Sequence, residues 1–67
     1  MSAKQQLIEI IKKELSMITK SVYPYLFEQL QSQEGKEKVV EMIFDYAVKN
    51  QISVSAAIVQ LENEFEL

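Results

Sequence analysis

The sequence predicts an all-α fold, a small bundle or orthogonal array of three longer helices plus one short helix. Three observations point there. Apolar residues recur at spacings of three and four rather than two. A single Gly and a single Pro in 67 residues leave little punctuation for many short strands. The stretch Val39 to Val48, VVEMIFDYAV, is apolar except for Glu41 and Asp45. At 3.6 residues per turn those two acids join Lys38 and Lys49 in one narrow polar line, so the rest of that helix needs cover on more than one side. It is read as the central helix.

The first helix is expected over about 3–20. Ser2 can cap it, with Gln5 as the reciprocal partner of a capping box. Leu7, Ile8, Ile11, Leu15, Ile18 and Val22 form the core stripe, and Glu9 and Lys13 are placed for an i,i+4 ion pair. Ile10 and Met17 lie to one side of that stripe with Glu14 between them. They fit either the shoulder of a broad core face or a second apolar seam for another chain.

Pro24 lacks an N–H and forces a break, yet suits the first turn of a new helix. A short helix is therefore expected over about 22–32, with Ser21 as its cap. Tyr23, Leu26, Phe27 and Leu30 would face inward and Tyr25 outward. The YPYLF cluster reads as aromatic core filling beside a turn, or as an anchor for a partner.

Gly35 and the polar run QSQEGK are expected to end the short helix, and Ser32 can cap the central helix over about 34–49. Asn50 suits a left-handed stop. Ser53 can cap a last helix over about 54–65, with Ile52 stapled against Ala57. On it Val54, Ala57, Ile58, Leu61 and Phe65 repeat with helical period. Glu62, Glu64 and Glu66 gather at its negative end, where the last turn is expected to fray. Expected core residues are Leu7, Ile11, Leu15, Ile18, Leu26, Leu30, Val40, Ile43, Phe44, Ala47, Ile58, Leu61 and Phe65. The whole of 1–67 reads as one helical domain.

Composition excludes much chemistry. With neither Cys nor His there is no disulfide, no catalytic thiol and no usual zinc or iron ligand set. One Gly cannot build a phosphate-cradling loop. The acidic tail ENEFE lacks the spacing of a calcium loop. No enzyme, cofactor, metal or small-molecule substrate is expected. No leader pattern and no apolar run of membrane-spanning length is visible, so a cytoplasmic protein is expected.

Charge is uneven along the chain. Residues 1–33 carry four Lys and three Glu, net +1; residues 34–67 carry three Lys, six Glu and one Asp, net −4. The sum is −3, and there is no Arg.

The leading expectation is a small non-enzymatic protein-interaction or regulatory module, self-associating as a dimer through surplus apolar helix surface. A domain this short buries only about 60% of its unfolded surface, and small domains often gain stability from association. Candidate interface residues are Ile10, Met17, Tyr25, Met42, Tyr46, Val48 and Val59.

A second expectation comes from Ala47, Ile52-Ser53, Ala57 and Leu61. Over about 20 residues this spacing resembles the apolar skeleton of a helix-turn-helix, within a unit spanning 40–63. Gln51 stands where that motif commonly has Gly. The resemblance implies a recognition helix over 54–63 that offers Ser55, Gln60 and Asn63 to bases, with Lys49 as the nearby cation. That helix has no basic residue, and phosphate contacts supply most of such affinity, so nucleic acid is a disfavoured partner. A third expectation is an acidic inhibitor or immunity-type protein that docks on a basic partner through Glu62, Glu64 and Glu66.

Overall fold

The computed structural model describes residues 2–66 and is all-α, in four helices: α1 (Ala3–Ser16), α2 (Pro24–Gln29), α3 (Gln33–Asn50) and α4 (Val54–Glu66). Both α3 and α4 pack against all three other helices, whereas α1 and α2 do not pack on each other. The central place expected for α3 is thus shared with α4.

The core is one cluster. Ile11, Leu26, Ile43, Ala57 and Leu61 are fully or almost fully buried, joined by Leu15, Val39, Val40, Ala47 and Ile58. Leu7, Ile18, Leu30, Phe44 and Phe65 pack on its edge, partly buried. Every helix contributes to it, which is how a short chain removes enough apolar surface from water to fold.

Side-chain caps set three of the four helix starts. Ser2 accepts from the Gln5 amide at 3.1 Å, Ser32 from the Gly35 amide at 3.0 Å and Ser53 from the Ala56 amide at 3.1 Å. The Ser2 cap is not the reciprocal box expected from sequence, because the Gln5 side chain donates to Glu9 instead.

Several boundaries differ from expectation. α1 stops at Ser16, not near residue 20. The Ser16 hydroxyl bonds back to the Lys13 carbonyl, and the Met17 and Ile18 amides reach back only three residues, so the helix tightens and ends. Val22 therefore leaves the phase of the α1 stripe and is exposed rather than core. α2 is only six residues long. Gly35 does not terminate it; Gly35 is a buried residue in the first turn of α3. A Cβ there would lie 2.1 Å from the Gln29 carbonyl oxygen, so Gly allows the end of α2 to close against the start of α3. The left-handed stop of α3 falls on Gln51 (φ 54°, ψ 45°), one residue past Asn50. The Ile52 amide then reaches back to the Ala47 carbonyl at 3.1 Å, the closing bond of a Schellman-type end.

The cap expected from Ser21 is absent; Ser21 pairs with the Thr19 hydroxyl. The start of α2 is completed from elsewhere in the chain. Pro24 has no N–H, and the Phe27 amide bonds the Tyr23 carbonyl. The two remaining amides, Tyr25 and Leu26, donate to the two oxygens of Glu62 on α4, at 3.1 and 2.9 Å. Glu62 is buried, whereas the sequence places it at an acidic end whose last turn is expected to fray. A carboxylate at a helix N-terminus meets both the open amides and the positive end of the dipole. A six-residue helix is far below the length that is stable alone, so this clamp and the buried Leu26 hold α2 in place.

Candidate functional site

Two surfaces stand out once the core is closed. One is apolar and lies around the connection between α1 and α2. Met17, Val22 and Val59 are 60%, 62% and 46% exposed. Met17 and Val22 line one hollow with Ile18 and Ile58; Val22 and Val59 line the next with Pro24. Val22 and Tyr23 belong to both hollows, so the surface is continuous. Ile10, also exposed, extends it along α1, being two helical turns before Met17 on the same side. The acids lining the two hollows are Glu14, in sequence between Ile10 and Met17, and Glu62 and Glu66 near Val59, of which Glu62 is buried and bonded to the α2 amides. No Lys lines either hollow.

The second surface is a groove of about 400 Å3 between α1 and α3. Its floor is Ile8, Val40 and Phe44, and Val48 continues the Val40–Phe44 row one further turn along α3. The helices run antiparallel here: Lys4 sits over the Phe44 ring at 5.4 Å, and Lys12 shares a hollow with Lys36 at the other end. The two walls differ in net charge. α1 supplies Lys4 and Lys12, one i,i+8 line through Ile8; α3 supplies Glu37, Glu41 and Asp45, with Lys36 as the one cation of that wall.

The residues singled out from sequence divide between these surfaces and the core edge. Ile10, Met17, Tyr25, Val48 and Val59 are exposed, as an interface requires. Met42 and Tyr46 are half-buried and pack against the core, and the Tyr46 hydroxyl donates to Glu64 across α3 and α4. Of the aromatic cluster, Tyr23 and Phe27 are half-buried and Tyr25 faces solvent. Sequence reasoning missed Val22, which it assigned to the core, and missed the groove altogether.

The three presumptive base readers do not form one row. Ser55 lines the hollow with Met17, Gln60 lies with Asp45 and Lys49, and Asn63 lies with Val59 and Glu66. The three-residue turn Gln51–Ser53 has the left-handed residue such a motif uses, but α4 carries no Lys or Arg. Nor do the three acids expected to meet a basic partner act together, since Glu62 is committed to the α2 amides and Glu64 accepts from Tyr46.

Among the described residues no set of three His, Cys, Asp or Glu side chains is placed to hold a metal ion, and no helix is long and apolar enough to cross a membrane. Comparison with known proteins finds no matching family model, no matching curated protein and no matching solved structure.

Proposed function

We propose that this chain is a small non-enzymatic protein-interaction module that associates with copies of itself. The observation that supports this most is the exposed apolar inventory. Six large apolar side chains remain 46–62% exposed after the core is complete. Several are grouped rather than scattered, and grouped apolar exposure on a small protein marks contact surface. The absence of Cys and His from the sequence supports the non-enzymatic half.

The test is solution mass across concentration. Light scattering from micromolar to millimolar chain is expected to rise from 7.8 kDa toward twice that value. A mass of one chain throughout removes self-association.

A second reading is favoured by one feature of the apolar surface. The charged residues lining its two hollows are acids, Glu14, Glu66 and the buried Glu62. A different protein with an apolar patch and a basic rim would meet that surface without like-charge conflict. Association with such a protein is expected to slow as salt rises, and to be lost with Met17→Lys plus Val22→Lys.

A further inference from the structure

The two surfaces differ in whether they can meet themselves. In a two-fold dimer the same patch faces its own copy. On the Met17–Val22–Val59 surface that superposition brings acids toward acids, with no Lys lining either hollow to answer them. The α1–α3 groove carries both signs, unequally divided between the helices: Lys4 and Lys12 on α1, and Glu37, Glu41 and Asp45 on α3 with one cation, Lys36, at its first turn, so the α3 wall is net acidic.

A two-fold axis in the plane of that face can run across the groove or along it. Across the groove, α1 lies on the partner's α1 and α3 on the partner's α3, so Lys meets Lys and acid meets acid. Along the groove, α1 lies on the partner's α3. Because α1 and α3 are antiparallel, with Lys4 at the Phe44–Asp45 end and Lys12 at the Lys36–Glu37 end, this second choice sets Lys4 against the partner's Asp45, and Lys12 against the partner's Glu37 with the partner's Lys36 beside it. The symmetry makes each pairing twice. The apolar floors, Ile8 with Val40 and Phe44, then close on each other.

We infer that the α1–α3 groove is the self-association face, occupied by a second copy whose α1 lies on α3 of the first. This rests on the self-association reading above and names its surface. The face is about 21 Å long, from 14 residues at about 1.5 Å each, and two helices wide. That is below the roughly 800 Å2 per partner of a standard stable interface, so the dimer is weak and electrostatics decides its register. The Met17–Val22–Val59 surface stays outward in it. Of the six exposed apolar side chains only Val48 borders the groove, so the pairing is carried by the charges and by the floor of part-buried Ile8 and Phe44 with buried Val40.

Paired charge reversal tests this. One variant, K4E with K12E, makes the groove acidic on both walls; another, Glu37→Lys with Asp45→Lys, makes it basic on both. Each alone is expected to dimerise at least tenfold more weakly than the unmodified chain in sedimentation experiments at low salt. An equimolar mixture is expected to recover dimer, and the recovery also shows that both variants are folded. A control with K13E and K20E carries the same net charge as the first variant away from the groove and is expected to dimerise as the unmodified chain does, as is M17K with V22K. An unmodified chain that dimerises while the groove variants match it, or a mixture no better than its components, overturns the groove assignment and leaves self-association standing. So does a dimer dispersed by M17K with V22K. An unmodified chain that stays single to millimolar concentration overturns both.

Discussion

Replacing Glu62 with alanine removes the acceptors that, among the described residues, serve the first two free amides of α2. The Leu26 amide is buried and gives up a 2.9 Å bond to a carboxylate. A hydrogen bond to a charged group contributes about 1.5–3 kcal/mol, and leaving a buried donor empty costs a similar amount. The Tyr25 amide is partly buried, so water can replace its 3.1 Å bond in part, and about 1 kcal/mol is a fair share for it. Together the loss is about 3 kcal/mol. A single small core supplies only about 3–5 kcal/mol, so Glu62→Ala brings the chain close to unfolding at room temperature. At about 4–8 °C per kcal/mol for a domain of this size, the thermal midpoint drops by about 12–24 °C. Glu62→Gln keeps one oxygen but sets an amide NH2 against a donor, and falls between. The assay is urea unfolding followed by helical circular dichroism, with sucrose added to both proteins if the variant is unfolded without it. Glu66→Ala, on the same helix but exposed, is the comparison and changes stability by under about 0.5 kcal/mol. A Glu62→Ala loss no larger than that would refute the clamp, and with it the explanation of how so short a helix is held.

Four further substitutions probe other joints. Gly35→Ala improves helix propensity by about 1 kcal/mol but places a Cβ 2.1 Å from the Gln29 carbonyl oxygen; a net loss of about 2 kcal/mol or more is expected in thermal unfolding, and a gain would show that α2 and α3 do not close there. Gln51→Gly relieves a left-handed non-glycine residue; the midpoint is expected to rise by a few degrees, about 0.5–1 kcal/mol. Ile43→Ala empties a fully buried site on α3; a loss of about 2–5 kcal/mol is expected to leave a largely unfolded chain by circular dichroism. Ser32→Ala removes the α3 cap bond, and a loss of about 1 kcal/mol is expected in the same urea assay.

The helices that rest on periodicity were legible in the sequence. Ile11 and Leu15, Val40, Ile43 and Ala47, and Ile58 and Leu61 each fall at helical spacing, and all are buried. Local signals failed where a distant part of the chain decides the outcome. Ser21 looked like a cap for α2, but the acceptor comes from Glu62, 36 residues beyond Leu26. A hint was present: Glu62 is four residues past Ile58 and next to Leu61, inside the buried stripe of α4. Its charge argued for solvent, and only the placement of the α2 amides reverses that. By its sequence Gly35 suits a terminator, because Gly often is one, whereas here it answers a close approach that no local pattern reveals. Val22 falls on the α1 stripe only while α1 continues. Ile10, Met17, Val48 and Val59 were legible as surplus because each sits off its helix's core line. The groove was not, since charge rows on α1 and α3 become opposing walls only when the two helices are known to be antiparallel neighbours.

The most direct measurement is small-angle X-ray scattering on a dilution series. One chain has a Cα radius of gyration of 11.2 Å, and a compact particle of twice the length is expected near about 14 Å. Self-association predicts a radius that climbs from the first value toward the second as concentration rises at low salt, and falls back when salt is added. A radius fixed near the single-chain value at every concentration would contradict it.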